Sequence, residues 1–73
     1  MTRPEALAAL HGLAATLTDA DPAAAGARLR ERIAGHEEAG ALADVLAEFG
    51  AEAVIRARRP SATWPPAIER RGA

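Results

Sequence analysis

Large apolar residues recur at helical spacing in one dense stretch of the chain, between residues 37 and 49. At about 100° per residue, four of them fall on one face of a helix. We therefore predict an amphipathic helix that begins near His36 or Glu37 and ends before Gly50. Its buried stripe forms the centre of the core and consists of Leu42, Val45, Leu46 and Phe49.

The first residues of the chain carry a helix start signal. Thr2 followed by Glu5 is a capping box, in which each side chain accepts a hydrogen bond from a backbone N–H that the helix leaves without a partner. Pro4 fits the first turn, where a missing N–H costs nothing. We expect this helix to reach Leu17 or Thr18. Its predicted stripe contains Leu7, Leu10, Leu13, Ala14 and Leu17, with His11 at its edge.

A second helix is predicted from Pro22 to Ala34, with Asp21 as its N-cap and Gly35 as its stop. Its apolar stripe is narrow, with Ala25, Leu29 and Ile33 at its centre. One continuous helix over residues 22–49 is an alternative. We prefer two helices because Gly35 and Gly40 would each cost roughly 1 kcal/mol inside a helix.

A fourth short helix is predicted from Ala51 to Arg58. A strand over residues 53–58 is the alternative, but a single strand would have no other strand with which to pair. From Pro60 onwards three prolines in seven residues favour extended chain. We predict an all-α fold: a bundle of three to four short helices over residues 1–59, and an extended Pro-rich C-terminal tail over residues 60–73.

The apolar composition predicts a thin core. Of the 36 hydrophobic residues, 21 are alanine, which leaves only fifteen larger side chains to bury. Small domains with few large side chains often obtain the missing burial from an oligomer or a partner. We therefore expect the protein to work in association with a larger protein or with copies of itself.

The residues that carry chemistry are few. There is no cysteine, and His36-Glu37 lacks the second histidine of a zinc-protease helix, because residue 40 is glycine. Ser61 is the only serine, and no glycine-rich phosphate loop is present. We predict no catalytic residue, no metal and no cofactor, and hence not an enzyme. Without a membrane span or a signal peptide, we expect a soluble, cytoplasmic protein.

The charge is unevenly distributed along the chain. Residues 1–52 carry four arginines against nine acids, whereas residues 53–73 carry five arginines against one acid. All nine basic residues are arginine, a composition typical of a GC-rich bacterial genome. The basic segment either engages an acidic partner or nucleic acid, or packs on the acidic body of its own chain.

Tryptophan and arginine are the side chains most enriched among interface anchors. We therefore hypothesise a docking surface in the C-terminal part of the chain. The alternative for its tryptophan is that it closes the protein's own hydrophobic cluster. The predicted partner-binding residues are Trp64, Ile68, Arg56, Arg58, Arg59, Arg70 and Arg71.

The function that these patterns favour is non-catalytic protein–protein association, as an accessory subunit or adaptor on a larger enzyme or assembly. One alternative is a helix-turn-helix-like regulator that binds nucleic acid through the C-terminal arginines, although its reading helix would be acidic. A second alternative is a self-associating, homo-oligomeric structural protein.

Overall fold

The chain folds into four α-helices in a computed structural model that describes residues 1–66. Within this range there is no strand, so the all-α prediction is confirmed and residues 53–58 are not a strand. The four helices, in chain order, are α1 (Arg3–Ala15), α2 (Pro22–Ala34), α3 (Ala39–Phe49) and α4 (Ala51–Arg56).

The predicted capping box forms at the start of α1. The Glu5 backbone N–H donates to Thr2 Oγ1 at 3.4 Å, and the Thr2 backbone N–H donates to Glu5 Oε1 at 2.9 Å. The hydrogen bond from the Thr2 backbone lowers the pKa of Glu5, because it favours the ionised carboxylate. The ionised form of Glu5 is therefore the one that stabilises this helix end.

The first helix ends earlier than predicted and buries a different set of side chains. It stops at Ala15, where the Thr16 hydroxyl donates to the Leu13 carbonyl at 2.7 Å. Leu7 and Leu13, expected on the stripe, are only partly buried, because the helix is turned so that alanines face its neighbours. Small side chains at these positions allow close helix packing. The buried residues of this segment are Ala6, Leu10, Ala14 and Leu17.

The second helix has the predicted bounds, and Asp21 caps it by accepting a hydrogen bond from the Ala23 N–H at 3.3 Å. A turn over residues 35–38 separates it from α3, so the single long helix is wrong. In this turn the Glu38 N–H donates to His36 Nδ1 at 3.0 Å. As a result α3 begins at Ala39, two to three residues later than predicted, and Glu37 and Glu38 precede the helix.

The core lies where the four helices meet. Each helix contributes one fully buried large side chain: Leu10, Leu29, Leu42 and Val54. The stripe predicted for α3 is buried in full, because Val45, Leu46 and Phe49 are also at most 7% exposed. Ile55 is buried beside Val54. The prediction that α3 centres the core is therefore consistent with the packing.

Gly50 redirects the chain between α3 and α4. Its φ of 92° lies in the left-handed region, which L side chains rarely adopt. The turn at Gly50 lets α4 begin at once and pack on α2. At that contact a Cβ placed on Gly26 would lie 3.3 Å from the Cβ of Ala51, which is tight packing. The helix α4 ends at Arg56, two residues before the predicted end.

We predict that Gly50→Ala lowers the stability of the fold. A side chain in the left-handed region costs roughly 1–2 kcal/mol. The matched control is Gly12→Ala, because Gly12 lies in a helix and a Cβ there would meet nothing within 4 Å. That control should raise stability by about 0.5–1 kcal/mol. Urea unfolding followed by circular dichroism measures both, and an unchanged or raised stability of Gly50→Ala would contradict the turn described.

We also predict a pH dependence of the α1 cap. Because the pKa of Glu5 is lower in the folded state, its stabilising effect is present above the ordinary glutamate pKa of about 4.3. It is lost as the pH falls through the lower folded-state pKa. The difference in unfolding free energy between the wild type and Glu5→Gln should therefore shrink on acidification. A difference that stays constant down to strong acid would count against the capping box.

Candidate interaction surfaces

Trp64 lies against the helical body. Its ring stacks on the imidazole of His11, with 4.4 Å between ring centroids and an angle of 15° between planes. It is partly buried and packs on the edge of the core, as do Leu7 and Leu13 of α1. This is the arrangement of the alternative hypothesis, in which Trp64 closes the protein's own cluster. Its part in binding a partner stays a prediction.

Arg58, just after α4, hydrogen-bonds to the loop between α1 and α2. Its Nη2 donates to the backbone carbonyl of Asp19 at 2.6 Å, while Nη1 is buried and has no hydrogen-bond partner among residues 1–66. The carboxylate of Asp19 pairs with Arg28 at 3.2 Å. Part of the basic segment therefore contacts its own chain.

Arg56 and Arg59 are exposed. Arg56 makes only a loose ion pair with Glu52, at 4.0 Å, and exposed pairs of this kind contribute little. Together with Arg58 they line a concavity of about 210 Å³. They are placed where an acidic partner could reach them. The remaining predicted partner-binding residues, Ile68, Arg70 and Arg71, lie outside the described residues.

An apolar concavity lies between α2 and α3, and none of the predicted partner-binding residues within residues 1–66 lines it. We call it the α2–α3 groove. Its volume is about 450 Å³, and Leu46 and Ile33 form its apolar base. Its other lining residues are small or exposed, with three exposed alanines at 34, 43 and 47. The full lining is Arg30, Ile33, Ala34, Ala39, Ala43, Leu46, Ala47, Gly50 and Ala51.

A signal for this groove is present in the sequence. Ala39, Ala43 and Ala47 recur every fourth residue beside the bulky stripe of α3, so they extend its apolar face around the helix. Sequence reasoning that weighs only large side chains misses this second face. Whether such alanines are covered or exposed depends on how the neighbouring helices pack.

One charged side chain lines the groove: Arg30 of α2, which is exposed. Asp44 of α3 is also exposed but does not line the groove. Neither makes an ion pair with another residue of the described range. By contrast, Glu48 on the same helix accepts hydrogen bonds from Arg3, which raises the pKa of that guanidinium and links α3 to α1.

The chemistry-bearing side chains of residues 1–66 do not converge. No group of three or more His, Cys, Asp or Glu side chains in this range could hold a metal ion. His11 is occupied by its stack with Trp64, and His36 lies in the turn before α3. No helix within the described residues is long and apolar enough to cross a membrane.

The comparisons with known proteins gave no relative. No protein-family model matches this chain. No curated protein and no solved structure matches it either. The function is therefore argued from the surfaces described above.

We predict that His11 and Trp64 are energetically coupled. Trp64→Ala should lower the unfolding free energy by about 1–2 kcal/mol, because a partly buried side chain loses part of its transfer energy. A double-mutant cycle with His11→Ala should show a coupling of about 0.5–1.5 kcal/mol, the range for stacked rings. Trp64→Phe should keep part of this coupling energy. If the effects of Trp64→Ala and His11→Ala on the unfolding free energy simply add, the Trp64 ring does not stack on His11 in solution.

Proposed function

We propose that this protein is a non-catalytic accessory subunit or adaptor that acts by binding another protein through the α2–α3 groove. The observation that supports the proposal is an exposed apolar concavity of about 450 Å³ beside the core. Such a face gains free energy when it is covered, at roughly 25 cal/mol per Å² of apolar surface. Exposed apolar patches on small proteins commonly mark interaction sites.

The chemistry of the groove favours one kind of occupant, an amphipathic helix. Its exposed alanines leave room for a helix to approach closely, and its one charged lining residue is Arg30. An amphipathic helix meets both requirements, with small or apolar residues at helical spacing and a carboxylate opposite Arg30. The exposed Arg56 and Arg59 do not line the groove. In this proposal they steer the association of the partner more than they add affinity.

Nucleic-acid binding is not favoured by the arrangement of helices. In a helix-turn-helix, α3 would be the reading helix, yet it carries no lysine or arginine, and Asp44 is exposed on it. Phosphates would repel that surface. Catalysis finds no support in the groove, because Arg30 is the only ionisable residue among its lining side chains.

The absence of cysteine from the chain allows a direct test. A single cysteine at Ala47, in the groove, can be labelled with an environment-sensitive fluorophore. An extract of the native host should shift its emission to the blue, because a bound partner removes the dye from water. The matched control is Ala24→Cys, an exposed alanine of α2 that does not line the groove.

The proposal predicts a shift for the Ala47→Cys probe and little change for the control. Adding Ala43→Glu to the Ala47→Cys protein should abolish the shift, because it places an uncompensated charge in the apolar face. Equal responses at both sites, or none at either, would contradict a binding role for the groove.

A further inference from the structure

We propose that the concavity beside the start of α2 is a binding site for a phosphoryl group, held by Arg56, Arg58 and Arg59. We call this concavity, of about 210 Å³, the arginine cleft. It shares no lining residue with the α2–α3 groove, so the inference goes beyond the proposed function and does not depend on it. The other residues that line the arginine cleft are Ala20, Pro22 and Ile55.

The lining of the arginine cleft carries positive charge and no negative charge. Three of its six lining residues are arginines, and none is acidic. The acids of the loop between α1 and α2 are engaged elsewhere. Asp19 pairs with Arg28 at 3.2 Å, and Asp21 accepts the hydrogen bond of the Ala23 N–H that caps α2. The charge of the cleft is therefore complementary to an anion.

Arg58 is the fixed member of the three arginines. Its Nη2 donates to the Asp19 carbonyl at 2.6 Å, which orients the planar guanidinium. Its Nη1 is buried and has no hydrogen-bond partner among residues 1–66. A buried donor without an acceptor is costly, the more so on a charged group, and a bound ion is one of the ways in which proteins satisfy it. An anion in the cleft brings acceptor oxygens to this guanidinium, because Arg58 lines the cleft.

Arg56 and Arg59 can turn towards such an anion because both are exposed. Arg59 makes no ion pair with another residue of the described range. Arg56 lies 4.0 Å from Glu52, a loose pair that an anion replaces at little cost. Pro22, the first residue of α2, also lines the cleft, so the positive end of this 13-residue helix lies beside it.

The number of arginines favours a phosphoryl group over a carboxylate. One bidentate arginine satisfies a carboxylate, which carries a single charge. A phosphate monoester carries a charge of about −1.5 to −2 at pH 7 and has three strong acceptor oxygens. Arginine clusters recognise phosphorylated groups for this reason. The phosphoryl group belongs either to free phosphate or a small phosphorylated molecule, or to a phosphorylated peptide.

Two-dimensional proton–nitrogen NMR of the purified, isotope-labelled chain tests the assignment. Inorganic phosphate replaces chloride at constant ionic strength during the titration. We expect saturable shifts of the Arg58 side-chain Nε–H signal and of the backbone N–H signals of residues 56–59, with a dissociation constant of about 1 mM or lower. Arg58→Gln should weaken phosphate binding about tenfold, because it removes a charge-assisted hydrogen-bond donor.

Arg58→Gln also removes the hydrogen bond to Asp19, so a second variant is needed that leaves the fold unchanged. Arg59→Gln changes an exposed site and should weaken phosphate binding about threefold or more while far-UV circular dichroism stays that of the wild type. The matched control is Arg30→Gln, which removes the same charge from an exposed site outside the cleft. Because salt screens distant exposed charges, this control should change the dissociation constant by less than about twofold.

Two peptides identify the source of the phosphoryl group: a short neutral peptide with one phosphoserine, and the same peptide with glutamate in its place. If the phosphopeptide binds about tenfold or more tightly than inorganic phosphate, the source is a phosphorylated protein. If the two bind equally, the source is free phosphate or a small phosphorylated molecule. Either result supports the phosphoryl site, provided that the glutamate peptide binds more weakly than the phosphopeptide.

Four results would overturn the inference. Phosphate causes no saturable shift, or Arg30→Gln weakens binding as much as Arg58→Gln, or the glutamate peptide binds as tightly as the phosphopeptide. The fourth is a DNA duplex that binds more tightly than phosphate, with an affinity that falls linearly with the logarithm of the salt concentration, because that behaviour is typical of an extended polyanion surface.

Discussion

The close approach of helices through small residues is the constraint on which this structure depends. The chain has only fifteen large apolar residues, too few to fill a wide space between the helices. The helices must therefore pack closely for the core to contain no voids. Gly26 and Ala51 are one such close contact, and Gly50, with its positive φ, turns the chain so that α4 packs on α2 there. Ala6, Ala14 and Ala25 are buried for the same reason.

Alanine residues also shape the surface of the protein. Alanines that face inward bring the helices together, and those that face outward on α2 and α3 leave an apolar groove that no described part of the chain covers. The thin core and the exposed groove thus have one origin in the composition. A chain of this kind gains stability when a partner covers the groove, which connects its folding to the proposed association.

The sequence predicts the helices well where a local signal is strong. Thr2 and Glu5 form the capping box, and Asp21 accepts a hydrogen bond from the Ala23 N–H, so both signals act within a few residues. The large apolar stripe of α3 can be buried only if it faces the other helices. The rotation of α1 about its own axis is not predictable from local signals. The helices that pack against α1 determine that Ala6 is buried and that Leu7 is only partly buried.

The surfaces depend on contacts between distant parts of the chain, and sequence reasoning reaches them less well. The sequence allows Trp64 to be a docking anchor or a closing side chain, and its stack on His11, 53 positions away, becomes visible only in the fold. Arg58 looks like a free cation until its bond to the Asp19 carbonyl is known. Sequence reasoning misses the groove because each alanine carries little hydrophobic signal, and only the packing shows which methyl groups lie together on the surface.

The central claim is that the α2–α3 groove is a face to which another protein binds. The emission of a fluorophore on the single cysteine of Ala47→Cys, recorded with and without an extract of the native host, tests it most directly, because a bound protein removes the dye from water. The account predicts a blue shift for this probe that Ala43→Glu abolishes. The same shift at the control site Ala24→Cys, or no shift at either site, would contradict it.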